Sequence, residues 1–233
     1  VLEAFDSQGL ITENSGAYQI DMAGLVSLIQ NDTSWADIGL AELYGNISVD
    51  TTDPARSNSG NMFAALLANV LNGGQTLTED NLREILPELQ SIFGKLGYME
   101  TSSSDLFSQF LRMGIGAKPV IAGYESQLIE YAAIYPDEYK NIEDDIVMLY
   151  PTPTVWSTHV LLALDENGQK LLDALLDEDL QALAWTKHGF RTGNYSTVST
   201  GGDIAAKGVA ADITQVTQVP SYDVMKIIIE SLQ

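Results

Sequence analysis

The chain has 233 residues, 45% of them apolar, and a formal net charge of −21 from 32 Asp and Glu against 11 Lys and Arg. That balance excludes duplex nucleic acid and anionic membrane surfaces as partners, because both need a basic footprint, and it describes a solvated acidic surface. Cysteine is absent, which removes disulfides, cysteine-ligated zinc and thiol catalysis together.

No apolar run approaches the ~20 residues of a membrane span. The opening "VLEAFDSQGLI" carries no signal-peptide pattern and reads as the start of a mature or trimmed product. "DMAGLVSLIQND" (21–32) has helical spacing, with Leu25, Leu28 and Ile29 on one face. "NISVDTTD" (46–53) is a short strand running into an Asp-Pro turn. "NMFAALLANVLNGG" (61–74) is an apolar helix stopped by a glycine pair. "TEDNLREILPELQSIFGKLG" (78–97) is a helix capped by Thr78, with acids in its first turn and Pro87 inside it.

"SSSDLFSQFLRMGIG" (102–116) is a further capped helix, and "KPVIAGY" (118–124) is a buried strand leading into the helix "ESQLIEYAAIY" (125–135). "DIVMLYPTPTVWSTHVLLALD" (145–165) supplies two extended segments about a Pro-rich bend. The helices "NGQKLLDALLD" (167–177) and "DEDLQALAWTKHG" (177–189), the Gly/Ser/Thr-rich loop 191–208 and a final helix "SYDVMKIIIESLQ" (221–233) complete the chain. Strand–helix alternation of this kind predicts an α/β fold with a largely parallel sheet, whose ligands sit at the C-terminal ends of strands.

The stretch "TTDPARSNSGNMFAALL" therefore stands out. Ser57, Asn58, Ser59 and Gly60 lie at or just before a helix start, where unpaired backbone N–H groups and the positive dipole end favour an anion. Gly60 permits close approach of a ligand. The same residues also make an ordinary N-cap with nothing bound. The lysine and glycine spacing of a phosphate-binding P-loop are missing.

"TTDPARSNSGNMFAALLANVL", "PVIAGYESQLIE" and "VMLYPTPTVWSTHVLLAL" followed by "LLDALLDEDLQALAWTKHGFRTG" together resemble, in order and spacing, the bacterial extracellular solute-binding proteins of ABC importers. The likeness is to the type 2 periplasmic binding proteins, the molybdate-like oxyanion binders among them, and spans roughly Asp21 to Gly193. It implies a mixed sheet flanked by helices, with a complete second lobe and a partial first lobe. Residues 1–20 would be a lead-in, 21–150 the second lobe with its ligand-facing turn at 51–60, and 151–233 the return hinge and C-terminal helices of the first lobe.

By that resemblance the function is capture of a small anion or polar solute outside the cell or in the periplasm, with possible lipoprotein anchoring and a membrane permease as partner. Thr52, Ser57, Asn58, Ser59, Gly60, Tyr124 and Glu125 would form the second-lobe half of the site, without metal or cofactor. The front of the first lobe that family members carry has no counterpart here, so an incomplete clamp and self-association are expected. "ARSNSG" is more polar than the matching turn of molybdate binders, so ligand identity does not carry over.

Other residues carry less. His159, placed in a buried strand, and His188, at a helix end, have no acidic or histidine neighbour at ligand spacing and read as structural. The paired acids of "NIEDDIV" and "LDEDLQ" fit glycoside chemistry or, more simply, solvated faces and caps. Arg191 either pairs with a carboxylate or is exposed. Tyr124 either donates its hydroxyl to a ligand or packs at an interface. Asp53, if turned inward, would shift preference from an anion to a cation or polar organic solute. A sensory or surface interaction domain on the same fold is the alternative function. An enzyme would need a general base near the turn, and the sequence offers none.

Overall fold

The computed structural model describes residues 1–192 and 204–233, so most of the expected loop at 191–208 lies outside the described residues. The protein is α/β. In chain order come α1 (Leu2–Ser7), β1 (Ile11–Asn14), β2 (Ala17–Asp21), α2 (Met22–Gln30), α3 (Asn58–Leu71), α4 (Glu79–Gly94), α5 (Ser103–Met113) and α6 (Glu125–Ile134). There follow α7 (Pro136–Lys140), β3 (Leu149–Thr152), β4 (Thr154–Val155), α8 (Glu166–Leu175), α9 (Glu178–His188), β5 (Val216–Thr217) and α10 (Tyr222–Ser231).

The sheets are small and mixed. β2 is central to the first, antiparallel to β1 and parallel to β3, with Tyr18 opposite Leu149 and Asp21 opposite Thr152. β4 and β5 pair in parallel. A third, shorter parallel array decides where the candidate site lies. The extended segment 49–52 bridges Ile121 through Asp50 and Glu100 through Thr52. Backbone bonds Asp50 N–H to Val120 O (3.0 Å), Ala122 N–H to Asp50 O (2.8 Å) and Asp53 N–H to Glu100 O (2.8 Å) hold it.

The main core gathers α1, β2, α2, α3, α4 and α10 around Phe5, Leu25, Ile29, Leu67, Leu89, Ile92 and Ile228. α3 and α4 form because their apolar residues recur at helical spacing, and α3 is so apolar that it is buried on nearly all sides. Asn69 lies at its heart with no exposure, and every polar atom is used. Its Nδ2 donates to Gln218 O (2.9 Å) and Thr217 Oγ1 (3.1 Å), and its Oδ1 accepts from Leu77 N–H (2.9 Å). A second cluster joins α6, α7 and α9 through Leu128, Ile129, Tyr139 and Trp185.

Several expectations are corrected here. Residues 1–20, taken as a lead-in, carry α1 and the β1–β2 hairpin, and Phe5 is fully buried. The stretches 46–53 and 118–124 are extended but hold only isolated bridges, and the second is half-buried rather than buried. α3 starts at Asn58, three residues before the expected start at Asn61: Ser57 has the extended backbone of an N-cap and its carbonyl already accepts from Asn61 N–H (3.0 Å). Thr78 has the extended backbone of an N-cap, yet its side chain makes no capping bond. His159 is exposed in an irregular segment, not buried in a strand.

Candidate functional site

The three parallel segments 99–100, 49–52 and 120–122 each run into a helix within a few residues: α5 after Ser102, α3 after Ser57 and α6 after Tyr124. Parallel strands deliver their helices at the same edge, so three helix N-termini gather at the C-terminal edge of this array. Side chains pin them together. Asn58 Nδ2 donates to Tyr124 Oη (2.9 Å) and to Ser157 Oγ (3.1 Å), joining α3, α6 and the segment after β4. Gln127 Oε1 accepts from Tyr124 N–H (3.0 Å) while its Nε2 donates to Ser103 O (3.0 Å), joining α6 to α5.

Proton counting fixes what this edge offers. Thr52 is wholly buried, and its only hydroxyl partner among the described residues is Ser59 Oγ at 2.7 Å. Were Ser59 the donor, the Thr52 proton would be buried without an acceptor, so Thr52 donates. Ser59 then donates to Ser57 Oγ (2.9 Å), and the proton of half-buried Ser57 is left over. Asn58 spends both amide protons on Tyr124 and Ser157, so those two hydroxyl protons are left over as well. The backbone N–H groups of Asn58, Ser59 and Gly60 have no acceptor among the described residues. The edge is a set of donors.

Gly60 is required for packing, not for ligand approach. A Cβ there would overlap the Thr52 carbonyl oxygen and lie 2.8 Å from both Asp53 C and Pro54 N. The strand end rests directly on the first turn of α3. Asp53 faces its own turn: Oδ1 accepts from Ala55 N–H (2.8 Å) and Oδ2 lies 3.5 Å from Arg56 Nε. No carboxylate therefore counters the donors from that side. Ser57 sets the N-cap backbone, but its hydroxyl makes no capping bond.

Glu125 belongs to a different cluster. It is held bidentately by Arg191 (2.6 and 3.0 Å) and accepts from Tyr150 Oη (2.9 Å), while Tyr150 Oη accepts from Ala210 N–H (3.0 Å). Arg191 also donates to Ala210 O and Ala211 O and lies 4.9 Å over the Trp185 ring. Of the two alternatives for Arg191, the ion pair is the one present. Burial, with the Glu125 carboxylate next to it, pushes the Tyr150 phenol well above its ordinary value. Burial opposes the Arg191 charge, but the hydrogen bonds and charge of Glu125 outweigh it and hold the guanidinium pKa up. The cluster anchors α6 to β3 and to the chain after α9.

His188 has an acidic partner that its sequence neighbours did not show, Glu130 at 2.7 Å across the α6–α9 contact. His159 stacks edge-on against Phe190 at 5.4 Å. Among the described residues no group of His, Asp or Glu has metal-binding geometry, and no helix is long and apolar enough to cross a membrane. Two surface concavities among the described residues are lined by none of the donor-edge residues. One, of about 10 Å³ and lined by Gln19, Tyr150, Thr152 and Asp212, has room for a single water. The other is an open groove beside Pro87 and Glu88.

The site thus brings together Thr52, Ser57, Asn58, Ser59, Gly60 and Tyr124, and leaves Glu125 engaged elsewhere. Sequence reasoning missed Ser157, Gln127 and Ser103. The run "TSSSD" before α5 was the available signal for the last of these, since it repeats the serine-rich cap of α3. Comparison with protein-family models, with curated proteins and with solved structures finds no match to this chain.

Proposed function

We propose that the protein is a solute-binding component of an ABC-type uptake system on a type 2 periplasmic-binding-protein fold, acting outside the cell or in the periplasm and handing its solute to a membrane permease. One observation carries the ligand chemistry. Three helix N-termini and the free hydroxyl protons of Ser57, Tyr124 and Ser157 share one edge, and Asp53 and Glu125 are both engaged away from it. Such an edge matches a small oxyanion or a polar solute rich in acceptor oxygens. An open, one-sided edge binds weakly until a second wall covers the solute.

The test is thermal-shift titration with sulfate, phosphate, molybdate, monosaccharides and amino acids. The best hit should raise the melting temperature without being consumed. Tyr124→Phe and Ser57→Ala should each weaken it about tenfold or more, the equivalent of one charge-assisted bond of ~1.5–3 kcal/mol. No stabilising probe in the panel, or full binding in both variants, would remove the reading. A surface interaction domain is the second reading, favoured by the exposed apolar run at 160–164.

A further inference from the structure

The side chains of Glu125 and Arg191 are buried together, 16% and 13% exposed. Taking two charges out of water costs about what their attraction returns, so such a pair adds little net stability; what it adds is direction. Here both ends are fully bonded. Glu125 Oε1 accepts from Arg191 Nε (2.6 Å), and Oε2 accepts from Arg191 Nη2 (3.0 Å) and Tyr150 Oη (2.9 Å). The guanidinium donates further to Ala210 O (2.6 Å) and Ala211 O (3.2 Å), and Tyr150 Oη accepts from Ala210 N–H (3.0 Å). Three separate stretches of chain thus converge on one carboxylate: β3, the residues after α9, and 210–211.

That carboxylate belongs to the first residue of α6. The residue before it is Tyr124, the N-cap, whose hydroxyl stands on the donor edge. Further along, α6 is held by apolar contact, Leu128 and Ile129 packing with Trp185 of α9. Such contact is non-directional and resists separation more than tilt. The turn after α9 delivers Arg191 to the start of α6. Gly189 ends α9 with φ +68°, and a Cβ there would lie 2.7 Å from Ser126 Cα and 2.9 Å from Ile129 Cβ, so the chain rests directly on the first turn of α6. Tyr124 is a long lever. Its hydroxyl stands about 6.5 Å from its Cα, so a ~5° tilt of the helix start moves it ~0.5 Å, the whole tolerance of a binding group.

We infer that Arg191 is a positioning residue of the donor edge. Acting through Glu125, it fixes the first turn of α6 and so holds the Tyr124 hydroxyl where Asn58 and a bound oxyanion both reach it. For its ligand the inference rests on the solute-binding reading. Its geometric half, the placement of Tyr124 against Asn58, stands without any ligand.

The test uses the whole chain. Arg191→Lys keeps the charge but loses the bidentate pair. Arg191→Met combined with Glu125→Gln replaces the pair by an uncharged one, which leaves no buried charge to unfold the protein. His188→Ala is the structural control, since it removes a different polar tether between α6 and α9, the 2.7 Å bond to Glu130. Without ligand, the Asn58 side-chain amide signals in nitrogen-15 NMR report the bonds to Tyr124 and Ser157. They should shift in both Arg191 variants and stay in place in His188→Ala. With sulfate, phosphate and molybdate as probes, both Arg191 variants should bind the best of the three about three- to tenfold more weakly, and no more weakly than Tyr124→Phe, because the loss passes through one hydroxyl. His188→Ala should bind as the parent does. In a Tyr124→Phe background, Arg191→Lys should cost nothing further. Unmoved Asn58 signals, or a loss of affinity that persists in the Tyr124→Phe background, overturns the inference. If the signals move but no probe binds the parent, the solute reading falls and the placement of Tyr124 by Arg191 stands.

Discussion

Gly60→Ala separates local helix preference from tertiary packing. At the third residue of α3 a methyl group should help, since alanine is favoured over glycine in helices by ~1 kcal/mol. The structure reverses the sign. The new Cβ would overlap Thr52 O and lie 2.8 Å from Asp53 C and Pro54 N, against an ordinary carbon contact of ~3.5–4.0 Å. All three atoms are backbone, so no side chain can swing away, and the strand end must move by roughly 0.7 Å or more. With only backbone atoms to displace, the overpacking cost falls in the upper part of the usual range, ~2–3 kcal/mol, and subtracting the helix gain of ~1 kcal/mol leaves a net loss of about 1–2 kcal/mol. At ~2–4 °C per kcal/mol for a chain of this size, melting should fall by about 2–8 °C. The control is Gly94→Ala at the end of α4, where a Cβ meets nothing within 4 Å; that variant should melt at or slightly above the parent. Denaturant and thermal unfolding of the three proteins decide the matter. A Gly60→Ala protein as stable as Gly94→Ala would refute the reasoning.

Three further outcomes follow from the same geometry. Thr51 Oγ1 is buried without a partner whereas Thr52 Oγ1 feeds the serine chain, so Thr51→Val should be neutral or stabilising and Thr52→Val destabilising by ~1 kcal/mol in urea unfolding. Removing Glu125 as Glu125→Ala strands the Arg191 charge, which is only 13% exposed in its side chain; the cost should be ~3–5 kcal/mol, and a loss below 1 kcal/mol would show the pair to be solvated. Tyr150 holds its proton more tightly when folded than its ordinary value of 10.0, so its contribution is complete below about pH 10 and declines as pH rises further. Tyr150→Phe should therefore be the less stable protein near neutrality, and its deficit should shrink above pH 10 in parallel base titrations.

The helices were legible because their information is local. α3 and α4 announce themselves through apolar spacing and a Gly-Gly stop, and the serine turn before α3 shows its donors in the sequence alone. What joins the turn to Tyr124 and Ser157 is not local: Asn58 reaches across 66 and 99 residues, and no spacing rule encodes that. Glu125 sits one residue from Tyr124, yet the first residue of α6 projects to Arg191 and Tyr150. Only the backbone shows that adjacent side chains at a helix start point apart. "HVLLAL" reads as buried because hydrophobicity reports what a strand would prefer, not whether anything covers it. α1 and the β1–β2 hairpin were passed over because six residues are too few to establish a period.

α10 closes the same core as α3 and α4, and its tethers are remote: Gln90 Nε2 donates to Ser231 O across 141 residues and Asn69 to Gln218 O across 149. On the ribosome this geometry sets an order of events. At ~5–20 residues per second, roughly 7–30 seconds pass between synthesis of Gln90 and arrival of Ser231. Through that interval Leu67, Leu89 and Ile92 have neighbours from α2, α3 and α4 but not Ile228. The nascent chain therefore displays an apolar groove between two formed helices, a natural foothold for a holdase chaperone, and translation that stalls before α10 should leave a protease-sensitive species rather than a folded half.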